Sequence, residues 1–197
     1  MKCPGQDTRY WKDDAIFEVK CPNCGESVEF FKDDAARTCP GCGQKLPNPR
    51  LDFGCAAYCP YAEQCLGELP SELREKQQAV FKDRIEAEAL STIAEEKRAL
   101  LKNRLKYAER LALEEGAKLP VVLAAACVFD IQEPENFLKN LNIPEIFVKE
   151  ILKTLEEDCL ESAVLNDAVV LSALVEGIKM SKELKTKAGK ILAKAMM

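Results

Sequence analysis

The sequence predicts a mainly α protein, with an all-helical domain over residues 69–197 preceded by a small cysteine-rich β module over residues 1–68. Three observations predict it. Eight of the ten cysteines fall before residue 66, the first 65 residues hold few large aliphatic side chains, and helical periodicity begins only after Pro70. A chain of 197 residues can bury one good helical core plus a small satellite. With so little to bury, the leading segment needs metal sites to be stable.

The first element is a pair of knuckles, "CPNCG" from Cys21 and "CPGCG" from Cys39. Each C-x-x-C turn brings two sulfurs to one metal, Pro stiffens it, and the following Gly permits the positive φ that aims N–H groups at sulfur. Phe17, Val19 and Cys21 alternate before the first knuckle and Val28 and Phe30 after it, so short strands bracket the turns. The pattern resembles a zinc ribbon, and Cys21, Cys24, Cys39 and Cys42 are the expected ligands of a closed S4 site for Zn2+. A rubredoxin-like mononuclear iron uses the same turns and is the alternative.

"GCAAYCPYAEQC" then sets Cys55, Cys59 and Cys65 at C-x3-C-x5-C spacing, too crowded for three independent core thiols. A cubane takes four thiolates, commonly a close group plus one remote in sequence. Cys3, in a Pro-Gly turn beside aromatic residues, is the fourth candidate, which gives an expected [4Fe-4S] cluster on Cys3, Cys55, Cys59 and Cys65. A second zinc, a cluster with another fourth ligand, or unligated cysteines are the alternatives. Cys127, in the apolar run "VVLAAACVF", reads as a buried core thiol, and Cys159 as a packed or half-exposed one. "LPNPRLDFG" reads as a Pro-rich connector between the two sites.

The helices follow in order. Pro70 and Ser71 start the first, with Leu73, Val80, Phe81 and Ile85 on its apolar face. Thr92 and Glu95 form a capping box for the second, which Gly116 ends. Pro120 opens a third, apolar on nearly every side and hence central. "PENFLKNLN", "PEIFVKEILKTLEE", "DCLESAVLNDAVVLSALVEG" and "SKELKTKAGKILAKAMM" supply four more, so the domain has six or seven helices.

"LKYAERLALEEGAKLPVVLAAACVFDI", Leu105 to Ile131, and "AVLNDAVVL", Ala163 to Leu171, resemble core segments of the HD-domain phosphohydrolases over roughly residues 95–175. The resemblance implies that family's helical fold. It also implies a metal site built from a first His, a His-Asp pair and a final Asp, which this chain departs from. Leu100 stands near the first His, the pair is Phe129-Asp130, and of the acidic segment only Asp167 remains, with Val169 downstream. Gln132 replaces the Gly beside the site. Two carboxylates cannot rebuild a hydrolase site whose imidazoles are gone, and Phe129 puts an apolar ring where the metal belongs. Asp130 and Asp167 are expected to serve as helix-end caps or buried hydrogen-bond acceptors. Cysteine-rich leaders of this kind are similar to those preceding HD-type domains in proteins of anaerobes.

Composition narrows the function. The chain has no histidine, which excludes mechanisms that depend on imidazole. Its net charge is −5, and residues 1–65 carry eight basic and ten acidic side chains, so no polyanion surface and no nucleic-acid partner are expected. No G-x-G-x-x-G or G-x-x-x-x-G-K occurs, hence no phosphate cradle. The start lacks an apolar signal region and no apolar run of spanning length occurs, which predicts a cytoplasmic protein without a membrane partner. The acidic pairs Asp13-Asp14, Asp33-Asp34 and Glu156-Glu157-Asp158 read as solvated surface, and the basic C-terminal segment as ordinary helix packing. The expected protein is therefore not an enzyme. It is a metal-bearing accessory protein or subunit on a degenerate HD-type domain, docking a protein partner or sensing redox state. The alternative is an electron-transfer small subunit of a larger anaerobic redox enzyme.

Overall fold

The computed structural model describes residues 15–32, 34, 36–50, 55–66, 69–178 and 183–196, with Cys65 and Leu66 described by backbone alone. The chain divides into two compact units, Met1–Cys55 with Ala62–Glu68, and Ala56–Tyr61 with Leu69–Met197. Described strands and helices follow as β1 (Ile16–Lys20), β2 (Ser27–Phe31), β3 (Ala36–Thr38), β4 (Lys45–Pro47), α1 (Ala62–Leu66), α2 (Ser71–Thr92), α3 (Glu95–Glu115), α4 (Leu119–Val128), α5 (Pro134–Asn140), α6 (Glu145–Glu156), α7 (Leu160–Val175) and α8 (Lys187–Met196). The architecture is mainly helical, with two small antiparallel sheets near its N-terminal end. No described helix is long and apolar enough to cross a membrane.

The first unit is a pair of hairpins. β1 pairs with β2 in the register Phe17↔Phe30 and Lys20↔Ser27, and β3 pairs with β4 from Ala36↔Pro47 to Thr38↔Lys45. Alternation puts Phe17, Val28 and Phe30 on one face, where the opposed rings stack with centroids 5.8 Å apart. The connector after β4 holds the hairpins to each other. Asn48, 5% exposed, donates its amide N–H to Asp34 O (2.8 Å) and Phe31 O (3.2 Å), and its oxygen accepts from Arg50 N–H (2.8 Å). Asp34 is no solvated acid. Its Oδ2 accepts from Phe31 N–H (2.8 Å) and Arg37 Nε–H (2.6 Å), closing the turn after β2.

In the second unit α4 is the hub, packing against α2, α3, α6 and α7. Its sequence is apolar all round, and Val121, Val122, Ala124, Ala125, Ala126, Cys127 and Val128 are all buried. Cys127 is a core thiol, as its surroundings in the sequence imply, and burial pushes it up to about 12. α3 ends where expected, at Gly116, whose φ of 71° allows Ala117 N–H to reach back to Ala112 O (2.9 Å).

Three helix boundaries differ from expectation. Thr92 is the last residue of α2, and its hydroxyl donates to Glu88 O (2.9 Å) rather than capping α3, whose N-cap is Ala94. The final helix begins at Lys187, because Thr186 stops the chain there and its Oγ1 accepts from Gly189 N–H (2.9 Å). The short helix α1, inside the second cysteine cluster, had no periodicity to announce it.

Two buried charged groups serve helix ends. Arg104 of α3 is 2% exposed and reaches the C-terminal end of α4. It donates to Ala126 O (3.2 Å), pairs with Asp130 (2.8 Å) and stacks 4.8 Å above the Phe129 ring. Asp167 of α7 is completely buried, and its two oxygens face three donors from the segment before α8 and one from its neighbour Asn166. Oδ1 accepts from Lys185 N–H (2.7 Å) and Asn166 Nδ2–H (3.1 Å), and Oδ2 from Thr186 N–H and Thr186 Oγ1–H (both 2.8 Å). Glu115 adds a further acceptor for Ala188 N–H (2.7 Å). Asp167 thus has the buried hydrogen-bonding role read from the sequence, whereas Asp130 is exposed and caps no helix, its bond being the ion pair with Arg104. A Cβ at Gly189 would overlap Asp167 Oδ2.

Asp167→Ala leaves the buried Thr186 N–H and hydroxyl and the part-buried Lys185 N–H without their acceptor, so it is expected to destabilise the protein by about 2–4 kcal/mol. Gly189→Ala should act in the same direction by displacing α8. Urea unfolding followed by helical circular dichroism checks both, and a change below about 0.5 kcal/mol for Asp167→Ala would mean that the segment before α8 is held by other contacts.

Candidate metal centre

The knuckles are the tips of the two hairpins, and they have the same backbone pattern. Cys21 N–H donates to Glu26 O and Cys39 N–H to Gln44 O, each at 2.8 Å. Gly25 N–H returns to Cys21 O (2.8 Å) and Gly43 N–H to Cys39 O (2.9 Å). Gly25 and Gly43 take φ of 74° and 75°, a conformation costly for residues with a Cβ. This is the geometry the glycines after each second cysteine were expected to supply.

The repeat faces itself. Cys21, Cys24, Cys39 and Cys42 place their Sγ atoms within 4.8 Å of one another. Cys21 lies 3.6 Å from Cys42, and Cys24 3.5 Å from Cys39, so each close pair joins the first cysteine of one knuckle to the second of the other. Cys21 and Cys39 are 2% and 1% exposed, whereas Cys24 and Cys42 are open to solvent. The middle residue of each knuckle also meets the other. A Cβ at Gly41 would stand 3.4 Å from Cys24 Sγ and 3.2 Å from Glu26 Cβ. Asn23, at the matching place in the first knuckle, is near enough to Cys42 to lower its pKa.

Electrostatics separate the two exposed thiols. Cys42 is pulled from its ordinary 9.0 down to about 6, chiefly by the Asn23 side chain and then by the Gln44 N–H. Cys24 is pushed up to about 12. The Glu26 N–H is the largest single influence on it and pulls it down, but the hydrogen bond with Cys39, loss of water and the contacts with Cys42 and Cys21 outweigh that pull. Without a cation, four thiolates so close would repel one another, and of the two exposed thiols Cys42 ionises before Cys24. A bound cation removes the conflict by deprotonating all its thiol ligands. The four cysteines can hold a metal ion.

The other expected site is only partly described. Cys3 lies outside the described residues, as does the side chain of Cys65. Cys55 is exposed and Cys59 half-buried. The loop holding Cys59 is fixed by Gln77 of α2, 4% exposed, whose amide donates to Ala56 O (3.0 Å) and Cys59 O (2.9 Å). Cys159 is half-buried at the N-cap position of α7. Sequence reading missed Asn23, Gly41, Asn48 and Gln77. Only Gly41 carried a signal, as a second glycine within one knuckle.

No family model matches the chain, and no curated protein or solved structure gives a significant match.

Protons compete with the metal for every thiolate, so affinity must fall as pH falls. Cys42, held near 6, is already ionised at neutral pH, while Cys24, held near 12, loses its proton only to the metal. Since Cys24 gives up its proton on binding, metal affinity should fall at least about tenfold per unit between about pH 8 and pH 6. Competition with a chromophoric chelator measures this, and a pH-independent affinity would mean that the thiols are not the ligands.

Proposed function

We propose that the protein is a non-catalytic, metal-binding accessory protein or subunit, with a structural zinc on Cys21, Cys24, Cys39 and Cys42. The observation that carries the reading is the sulfur geometry. Four ligands at about 2.3 Å from one zinc lie about 3.8 Å apart in a tetrahedron, close to the 3.5 and 3.6 Å separations of the two cross-knuckle pairs. A cubane, with each thiolate on a different iron, needs a wider spread of sulfurs. The ion would close both hairpin tips and supply folding free energy that a six-residue core does not.

A [4Fe-4S] cluster on Cys3, Cys55, Cys59 and Cys65 completes the proposal, resting on their spacing in the sequence. The helical unit serves as a degenerate HD-type scaffold for docking a partner, and the cluster as its redox sensor. Support for the non-catalytic part comes from the two remaining carboxylates. Asp167 spends both oxygens on protein donors, and Asp130 is engaged by Arg104. Phe129 lies beneath the same guanidinium.

Metal and acid-labile sulfide analysis of protein purified without oxygen tests the assignment. The expected content is about one zinc, four irons and four sulfides per chain, with iron lost and zinc kept in Cys3→Ser. Zinc near two per chain without iron would remove the cluster, and a chain free of metal would sink the proposal. Metal-dependent hydrolysis of a generic phosphomonoester would contradict the non-catalytic reading.

A further inference from the structure

We infer that the exposed rim of the ribbon is a thiol-oxidation site for hydrogen peroxide, and that oxidation joins Cys42 to Cys21 and Cys24 to Cys39 across the knuckles with release of the metal. The inference rests on the zinc reading proposed above and adds a chemistry to that site.

Three observations carry it. Each knuckle offers one solvent-exposed sulfur, Cys24 or Cys42, so a small oxidant reaches the cluster without any movement of the chain. Each exposed sulfur already has a buried one of the opposite knuckle at 3.5 or 3.6 Å, so a bond of about 2.05 Å requires each pair to close by only about 1.5 Å. The knuckles also interlock, since the backbone at Gly41 lies close enough to Cys24 Sγ that even a methyl group there would touch it. The buried partners, Cys21 and Cys39, belong to the small core of Phe17, Val28, Phe30 and Leu46. Drawing their sulfurs outward disturbs that core directly, so the chemistry has a conformational readout.

The chemistry balances within each pair. The Cys42 thiolate attacks one peroxide oxygen, the O–O bond breaks, hydroxide leaves and Cys42 becomes a sulfenic acid. The Cys21 thiolate then attacks that sulfur, forming the S–S bond while the S–O bond breaks and a second hydroxide leaves. Cys24 and Cys39 repeat the sequence with a second peroxide. Both peroxides are reduced to water by the electrons of the four thiolates, the hydroxides take up protons, and the divalent cation departs because no thiolate remains to hold it.

The test uses the zinc-loaded full chain and graded hydrogen peroxide, with released zinc read by a chromophoric chelator and disulfides mapped without reduction. Trypsin separates the knuckles, because cleavage after Lys20, Lys32, Arg37 and Lys45 puts Cys21 and Cys24 on one peptide and Cys39 and Cys42 on another. The expected product is the two peptides joined covalently, appearing in step with zinc release, and a Cys127→Ser variant should behave identically. Peptides that stay separate, each with an internal disulfide, would overturn the pairing. Zinc retained with all four thiols still alkylatable would overturn the oxidation site itself. Zinc content measured before peroxide is added keeps the two proposals apart, since its absence there defeats the zinc reading rather than the oxidation chemistry.

Discussion

The ribbon depends on one doubling of roles, in which the residues that would hold the metal are also the residues that fill the core. Among the described residues Cys21 and Cys39 are two of six buried members of that core, and the other four line up behind them through the β1–β2 and β3–β4 pairings. Burial on this scale cannot order two hairpins. A cation on the four sulfurs would tie the two hairpin tips together, beside the Asn48 bonds that already hold the hairpins to each other. The polar bonds of Asn48 and Asp34 then fix the turns that leave the knuckles.

The helical unit solves a different problem. It has ample apolar surface, arranged around α4, and its difficulty is to end several helices inside that core without stranding backbone groups. Arg104 neutralises the carbonyl end of α4, while Asp167, Thr186 and Glu115 receive the N–H groups at the start of α8. Arg104 and Asp167 are the buried charged residues of the unit among those described, and Asp167 has both oxygens matched by donors of the chain itself. An HD-like pocket would have to coexist with these bonds.

Much of this was legible in the sequence because repetition and periodicity are local. The C-P-x-C-G repeat gave the four sulfurs and both positive-φ glycines, and the continuous apolar run from Pro120 gave the central helix. The placement of α8 was less legible, since the decisive partner, Asp167, sits 19 residues before Thr186. Thr92 misled for a related reason. A Thr three residues before a Glu predicts a cap only if its backbone has already left the helix, and here α2 continues through it. Gln77, which no local pattern singled out, is buried on α2. Its role depends on two carbonyls brought to it by tertiary structure.

The division of the chain bears on where it can be cut. Along the sequence the polypeptide passes between the two units three times, after Cys55, after Tyr61 and after Glu68. A fragment starting at Leu69 would contain every helix from α2 to α8 yet lack Ala56 and Cys59, whose carbonyls receive the buried amide of Gln77. That fragment would lose both carbonyl partners of the Gln77 amide, because the helical unit also includes the separate stretch Ala56–Tyr61.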